Sequence, residues 1–208
     1  MAQLSRLHPA RCFNRSETRI PGSCCGDAGR AKRAKAEVTY HTRKNRTMPS
    51  VFPPVGRPVP AQYGGMHVEA MDAHGGWIAS AIDLVRFARE FDSPETCRFL
   101  TVRSIAATFA RPRGKKGAVY YAFGWSVRPI GKGGKANTWH TGGFVGSSTL
   151  LVRRHDGLDW AVLFNLARAK KKGRYLADKI DPLVHRAADA VKVWPDIDLL
   201  EAKLIKSR

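Results

Sequence analysis

Trp139-His140-Thr141-Gly142-Gly143-Phe144-Val145-Gly146-Ser147-Ser148-Thr149 is the stretch on which the reading of this chain turns. Polar residues and glycines stand at the end of one predicted strand, immediately before an apolar one. Glycine has no Cβ, so a substrate backbone or carboxylate can come close. Thr141 can donate a hydroxyl hydrogen bond, and the imidazole of His140 can donate or accept one. A backbone N–H at Gly143 directed off the strand would stabilise an oxyanion, an interaction typically worth about 3 kcal/mol.

Outward from this stretch, the hydrophobic period predicts a run of strands. Tyr121 to Arg128 reads as one strand, Gly131-Lys132-Gly133-Gly134 as a flexible turn, and Asn137 to Thr141 as the next strand. Ser148 to Arg153 is a third, rich in Leu, Val and Thr. His155-Asp156-Gly157 supplies the Asp-Gly hairpin signal, and Leu158 to Asn165 is the fourth. Turns this short favour an antiparallel meander.

Helices flank the strands. Ser80 is a good N-cap, and Asp83 three residues on completes a capping-box pattern. Leu84, Phe87, Ala88 and Phe91 then follow the i, i+3, i+4, i+7 spacing of a buried face. A weaker helix is predicted from Thr101 to Phe109. A last helix carries an apolar stripe of Leu176, Ile180, Leu183, Val184, Ala187, Ala188 and Val191. Pro182 interrupts it, so that helix either starts at Asp181 with Pro182 in its first position or kinks there. The expected fold class is therefore α+β, an antiparallel sheet with packed helices.

The preceding residues divide into three parts. Residues 1–36 are basic, without a period of 3.6 or 2, and are expected to be disordered or the product of a misplaced start or frameshift. Glu37 to His41 reads as a short strand. The connector containing Pro49, Pro53, Pro54, Pro58 and Pro60 excludes regular helix and central strand. The domain is expected to span 37–195, with a tail at 196–208.

The 208 residues are enough for one domain, and 43% hydrophobic with 25% charged residues is ordinary for a globular chain. A net charge of +19 is not ordinary. Residues 1–50 contribute +8 of it. It indicates either attraction to nucleic acid or an anionic surface, or a solvated basic face. The basic residues are not interleaved with aromatics as in single-strand binders, which argues against nucleic acid.

Cys12, Cys24, Cys25 and Cys97 lack the paired spacing of a zinc site and are read as free thiols. His41, His67, His74 and His155 show no ligand spacing, so no metal and no cofactor is expected. No apolar run is long enough for a signal h-region or a membrane span, which makes a cytoplasmic chain the default expectation.

The Trp139–Thr149 stretch resembles the third motif of class C β-lactamases and related penicillin-binding proteins, Lys-Thr-Gly or its His-Thr-Gly variant. Gly75-Gly76-Trp77-Ile78-Ala79-Ser80-Ala81-Ile82-Asp83-Leu84-Val85-Arg86-Phe87 resembles that family's Gly-Gly-x-x-Ser-x-x-Asp-Leu-x-Arg-Phe helix start. Tyr121-Ala122-Phe123-Gly124-Trp125 resembles the strand before the motif, and the hairpin through Asp156-Gly157 to Leu163-Phe164-Asn165 resembles the pair after it. The four elements occur in the family's order across residues 37–195.

The resemblance implies a partial β-lactamase/transpeptidase-like fold, a three-layer sandwich whose N-terminal helix, first strands and helical lobe this chain lacks. Full-length relatives are often extracytoplasmic. His140 and Thr141 would contact a substrate carboxylate or orient the general base, Gly142 would keep the strand edge open, and Gly143 would give an oxyanion N–H.

The family's nucleophile and base are not found in these residues. None of the serines has lysine three positions later, and neither Tyr-x-Asn nor Ser-x-Asn occurs. Covalent acyl transfer then has no starting point, and no catalytic residue is assigned. Ser80 reads as a helix cap. Ser147 and Ser148 lack a Gly-x-Ser-x-Gly elbow, and Lys170-Lys171-Lys172 reads as a solvated loop. Three functions follow as expectations. The first is an acyl-serine hydrolase of β-lactam, D-amino-acid peptide or ester, truncated and inactive alone. The second is a basic interaction or nucleic-acid-binding protein on a remnant sheet. The third is a half-pocket completed by a partner chain that carries the nucleophile and admits a small-molecule or peptide substrate.

Overall fold

A computed structural model describes residues 37–97, 99–170 and 172–196. The segments 1–36 and 197–208, with the expectations placed on them, lie outside the described residues. Among the described residues seven strands and three α-helices follow in chain order. They are β1 (Thr47–Pro49), β2 (Pro58–Pro60), α1 (Ala81–Arg89), α2 (Val102–Phe109), β3 (Tyr120–Tyr121), β4 (Ser126–Pro129), β5 (Ala136–Phe144), β6 (Ser147–Arg153), β7 (Asp159–Phe164) and α3 (Leu176–Ala190).

Strands β3 to β7 form one antiparallel meander in sequence order. The prolines of the connector sit instead in a separate two-stranded ribbon, β1 against β2, where a missing N–H is tolerated.

Two cores flank the meander, one on each face, because side chains alternate along each strand. On one face α1 and α2 pack through Ala88, Phe91 and Ile105 onto Trp125, Val127 and Leu151. Phe87, Phe91 and Phe109 surround the Trp125 ring at centroid distances of 6.5, 5.6 and 5.9 Å. On the other face Ala177 of α3 packs on Leu150 and Val152, with Trp139, Trp160, Val162 and Ile180 around them. Helix, sheet and helix make three layers, an α+β fold with an antiparallel sheet.

The Ser80 cap forms as its sequence predicts. Ser80 Oγ accepts from the Asp83 N–H at 3.2 Å, and the Asp83 carboxylate accepts from the Ser80 N–H at 3.0 Å. Thr101 caps α2 by one such bond, its Oγ1 accepting from the Ser104 N–H at 3.1 Å.

Four local expectations are corrected. Tyr121 to Arg128 is not one strand but a tight hairpin. The Ala122 N–H donates to the Trp125 C=O at 2.8 Å, and Gly124 holds φ +78°. That turn drives Trp125 into the core. Glu37 to His41 is not a strand either; it reaches the sheet only through a bridge between His41 and Leu166. The strand expected to end at Thr141 runs on through Gly142 and Gly143 to Phe144.

The last helix neither starts at Asp181 nor breaks there. It is continuous from Leu176 to Ala190 with Pro182 inside. Proline cannot donate to the carbonyl four residues back, which is that of Asp178. Arg174 Nη2 donates to that carbonyl instead at 3.3 Å. The helix's most buried residue is Ala177, whereas Leu183 of the expected stripe is 47% exposed.

Candidate functional site

The site residues lie on β5, and strand pairing decides what each can reach. β6 pairs with β5 from Thr138 to Phe144, but β4 pairs with it only from Ala136 to Trp139. From His140 to Phe144 the other edge of β5 therefore has no strand beside it among the described residues.

Alternation of the backbone fixes which groups face that edge. The Ile130 N–H donates to the Lys135 C=O at 2.8 Å, so odd-numbered residues of β5 point their peptide groups toward the β4 side. Beyond Trp139 that side is open. The N–H and C=O of Thr141 and of Gly143 are consequently directed off the strand. An N–H at Gly143 is thus available to an incoming oxyanion.

The side chains divide by parity. His140 lies opposite Leu151, on the face that carries α1 and α2. It is exposed, and its Nε2 lies 3.0 Å from Tyr121 Oη. Thr141 lies on the opposite face, where it lines a cavity of about 220 Å³ with Trp139, Arg128, Arg174, Asp181 and His185. The two residues that the sequence sets side by side therefore serve different faces and share only the strand edge.

Both glycines are required by what packs on them. A Cβ at Gly142 would overlap the hydroxyl of Thr149, its partner on β6. A Cβ at Gly143 would lie 2.7 Å from two ring carbons of Tyr175, well inside van der Waals contact. Tyr175 is the residue before α3, and its ring occupies the place a side chain at Gly143 would take. The close approach that the glycines permit is to the protein's own side chains on the two faces, and the open edge is left for a ligand.

Three residues at the site carry no signal in the sequence motif itself. Tyr121 anchors His140. Tyr175 underlies Gly143. Ser148, fully buried, caps α3 from a distance: its Oγ accepts from the Ala177 N–H at 3.0 Å. One signal was present for the last of these, since Tyr175 precedes the helix without an acceptor side chain and makes no cap bond. A helix lacking a local cap takes an acceptor from elsewhere.

The remaining candidates are structural. His155 Nδ1 and its backbone N–H both meet Asn137 Oδ1, at 2.9 and 3.0 Å. The Ala70 N–H donates to His67 Nδ1 at 3.1 Å. Asp156 pairs with Arg154 at 2.7 Å beside the Gly157 turn. Cys97 is a free thiol. Among the described residues no group of three His, Cys, Asp or Glu is placed to hold a metal ion, and no helix is long and apolar enough to cross a membrane.

No curated protein matches this sequence. A family model described as Beta-lactamase matches residues 27–184. The matched residues include the Ser80 helix cap, β3 to β7 and the first half of α3. The order of those elements and the His140–Gly143 strand edge agree with that match, and the chain belongs to the beta-lactamase family.

Proposed function

We propose that this chain carries the substrate-side strand of a β-lactamase-related serine hydrolase and performs no acyl transfer by itself. The observation that supports this reading is the open edge of β5, with the Thr141 and Gly143 peptide groups directed off it and His140 at its start. Such an edge binds an extended acyl substrate by backbone hydrogen bonds and polarises its carbonyl through the Gly143 N–H.

Hydrolysis through an acyl-enzyme also needs an activated nucleophile. These 208 residues hold no Ser-x-x-Lys and no Tyr-x-Asn or Ser-x-Asn. Ser148, close to the strand edge in sequence, is fully buried and engaged with α3. Ser80 is engaged with Asp83. The pocket becomes competent when a segment bearing Ser-x-x-Lys lies against the β5 edge. Its substrate is then a β-lactam, a D-amino-acid peptide or an ester.

Turnover assays test this reading. The 208-residue chain is incubated with a chromogenic cephalosporin, a D-alanyl anilide and a short-chain nitrophenyl ester. The expected rate equals that of the same chain after unfolding. A saturable rate abolished by unfolding would overturn the proposal.

A further inference from the structure

We propose that the basic cleft beside Gly143 binds a small oligophosphate. The cleft has a volume of about 1000 Å³ and is walled by the 41–46 segment, the β5–β6 turn and the 166–170 segment, together with Met66 and Tyr175. Its size is that of a ligand pocket. Among the described residues its cations are Arg43, Lys44, Arg46, Arg168 and Lys170, and no carboxylate lines it. None of the five meets a carboxylate within ion-pair distance among the described residues. Like charges gathered on a concave wall repel one another and focus a positive potential into the space between them. An anion relieves that repulsion.

The cleft is also built, in the sense that two of its cations, Arg168 and Arg43, are held. The Arg168 guanidinium stacks on the Tyr175 ring at 3.9 Å from its centroid. Its Nε is buried and has no hydrogen-bond partner among the described residues. Tyr175 is itself seated against Gly143, so a continuous stack runs from the candidate oxyanion strand to this arginine. Arg43 Nη1 donates to the Ala169 C=O at 3.0 Å and ties two cationic segments together. Lys44 and Asn45 hold φ of 54° and 45°, a left-handed backbone uncommon outside glycine, which turns the loop around the cleft.

Arginine forks match phosphate oxygens in pairs, and lysines add point charge. Five cations around one half-open cleft suit a ligand with several phosphoryl groups better than a single carboxylate. A cleft of about 1000 Å³ whose rings among the described residues are His41, Phe144 and Tyr175, the last already covered by Arg168, suits a small molecule better than a nucleic-acid strand that needs repeated stacking platforms.

Isothermal titration of the full chain with inorganic tripolyphosphate tests the proposal, and its readout is binding rather than activity, so it stands apart from the hydrolase reading. R168Q/K170Q is expected to weaken tripolyphosphate binding by about tenfold or more. K115Q/K116Q removes the same charge outside the cleft and is expected to change it by less than about twofold. Circular dichroism confirms that both variants fold. Three results would overturn the proposal: no binding at low salt, equal weakening by both pairs, or a single-stranded oligonucleotide that binds more tightly than tripolyphosphate and is indifferent to R168Q/K170Q.

Discussion

The ring of Tyr175 fills the space where a side chain at Gly143 would stand, so close that a Cβ there would lie 2.7 Å from ring carbons Cε1 and Cζ. This contact joins the start of α3 to the candidate oxyanion position on β5. It gives the glycine a role in packing as well as in approach to a ligand, and it makes the strand edge sensitive to what happens one layer below.

Gly143→Ala is therefore expected to destabilise the chain by about 1–3 kcal/mol through overpacking. Tyr175→Leu should relieve part of that loss. Urea unfolding of the two single variants and the double variant measures it. A double variant less destabilised than the sum of the singles is the expected coupling between residues in contact. Strict additivity would show that the two do not meet.

Ser148 supplies the missing cap of α3 from the neighbouring strand. Ser148→Ala would leave the Ala177 N–H buried without its acceptor. The expected cost is about 1–2 kcal/mol. Faster hydrogen exchange at the first turn of α3 than in α1 would locate the loss at the cap.

Asp159 gives the chain a pH dependence. Burial pushes its carboxyl up to about 7, and the neighbouring Asp92 carboxyl adds to the shift, against the opposing pull of Arg153 and Arg89. In the unfolded chain an aspartate titrates at about 3.9. Below that pH both states carry the proton, and the contribution of Asp159 to stability is fully present. Between about 4 and about 7 the folded state keeps a proton that the unfolded state has released, so stability falls as pH rises through this window. Asp159→Asn is expected to flatten the decline. Thermal unfolding of both forms across pH 4.5–7.5 checks it: parallel curves would remove Asp159 as the cause.

Pro182 is tolerated within α3 because Arg174 serves the carbonyl of Asp178. Arg174→Ala is expected to lower stability by about 0.5–1.5 kcal/mol. In a Pro182→Ala background the same change should cost less, since an alanine N–H can then reach that carbonyl. Equal losses in the two backgrounds would separate Arg174 from the proline.

Much of the fold was legible because its signals are local. The Ser80–Asp83 box, the Asp156-Gly157 turn and the Leu, Val and Thr run from Ser148 to Arg153 each act over a few residues and formed as read. What escaped depends on contacts far apart in the chain. Trp125 enters the core only because the Phe123-Gly124 turn folds β3 back on β4. Pro182 stays inside a helix because of an arginine eight residues earlier. Leu183 looked like part of an apolar stripe, but α3 presents Ala177 more closely to the sheet.

The candidate site divides in the same way. The glycines and His140 stand out in sequence, because a strand rarely carries adjacent glycines before an apolar run. That His140 and Thr141 face different layers follows from strand parity along β5, although the family resemblance implied a shared role for the two. That Tyr121 meets His140, and Tyr175 meets Gly143, was not: each pair spans at least 19 residues and needs the assembled sheet.

On the proposed function, this beta-lactamase-family chain presents the substrate strand without a nucleophile of its own. Intact mass spectrometry after incubation with excess penicillin and, separately, a fluorophosphonate tests it most directly. The expected result is an unchanged mass of the folded 208-residue chain. A stoichiometric adduct mapped to one serine, and absent after unfolding, would contradict it.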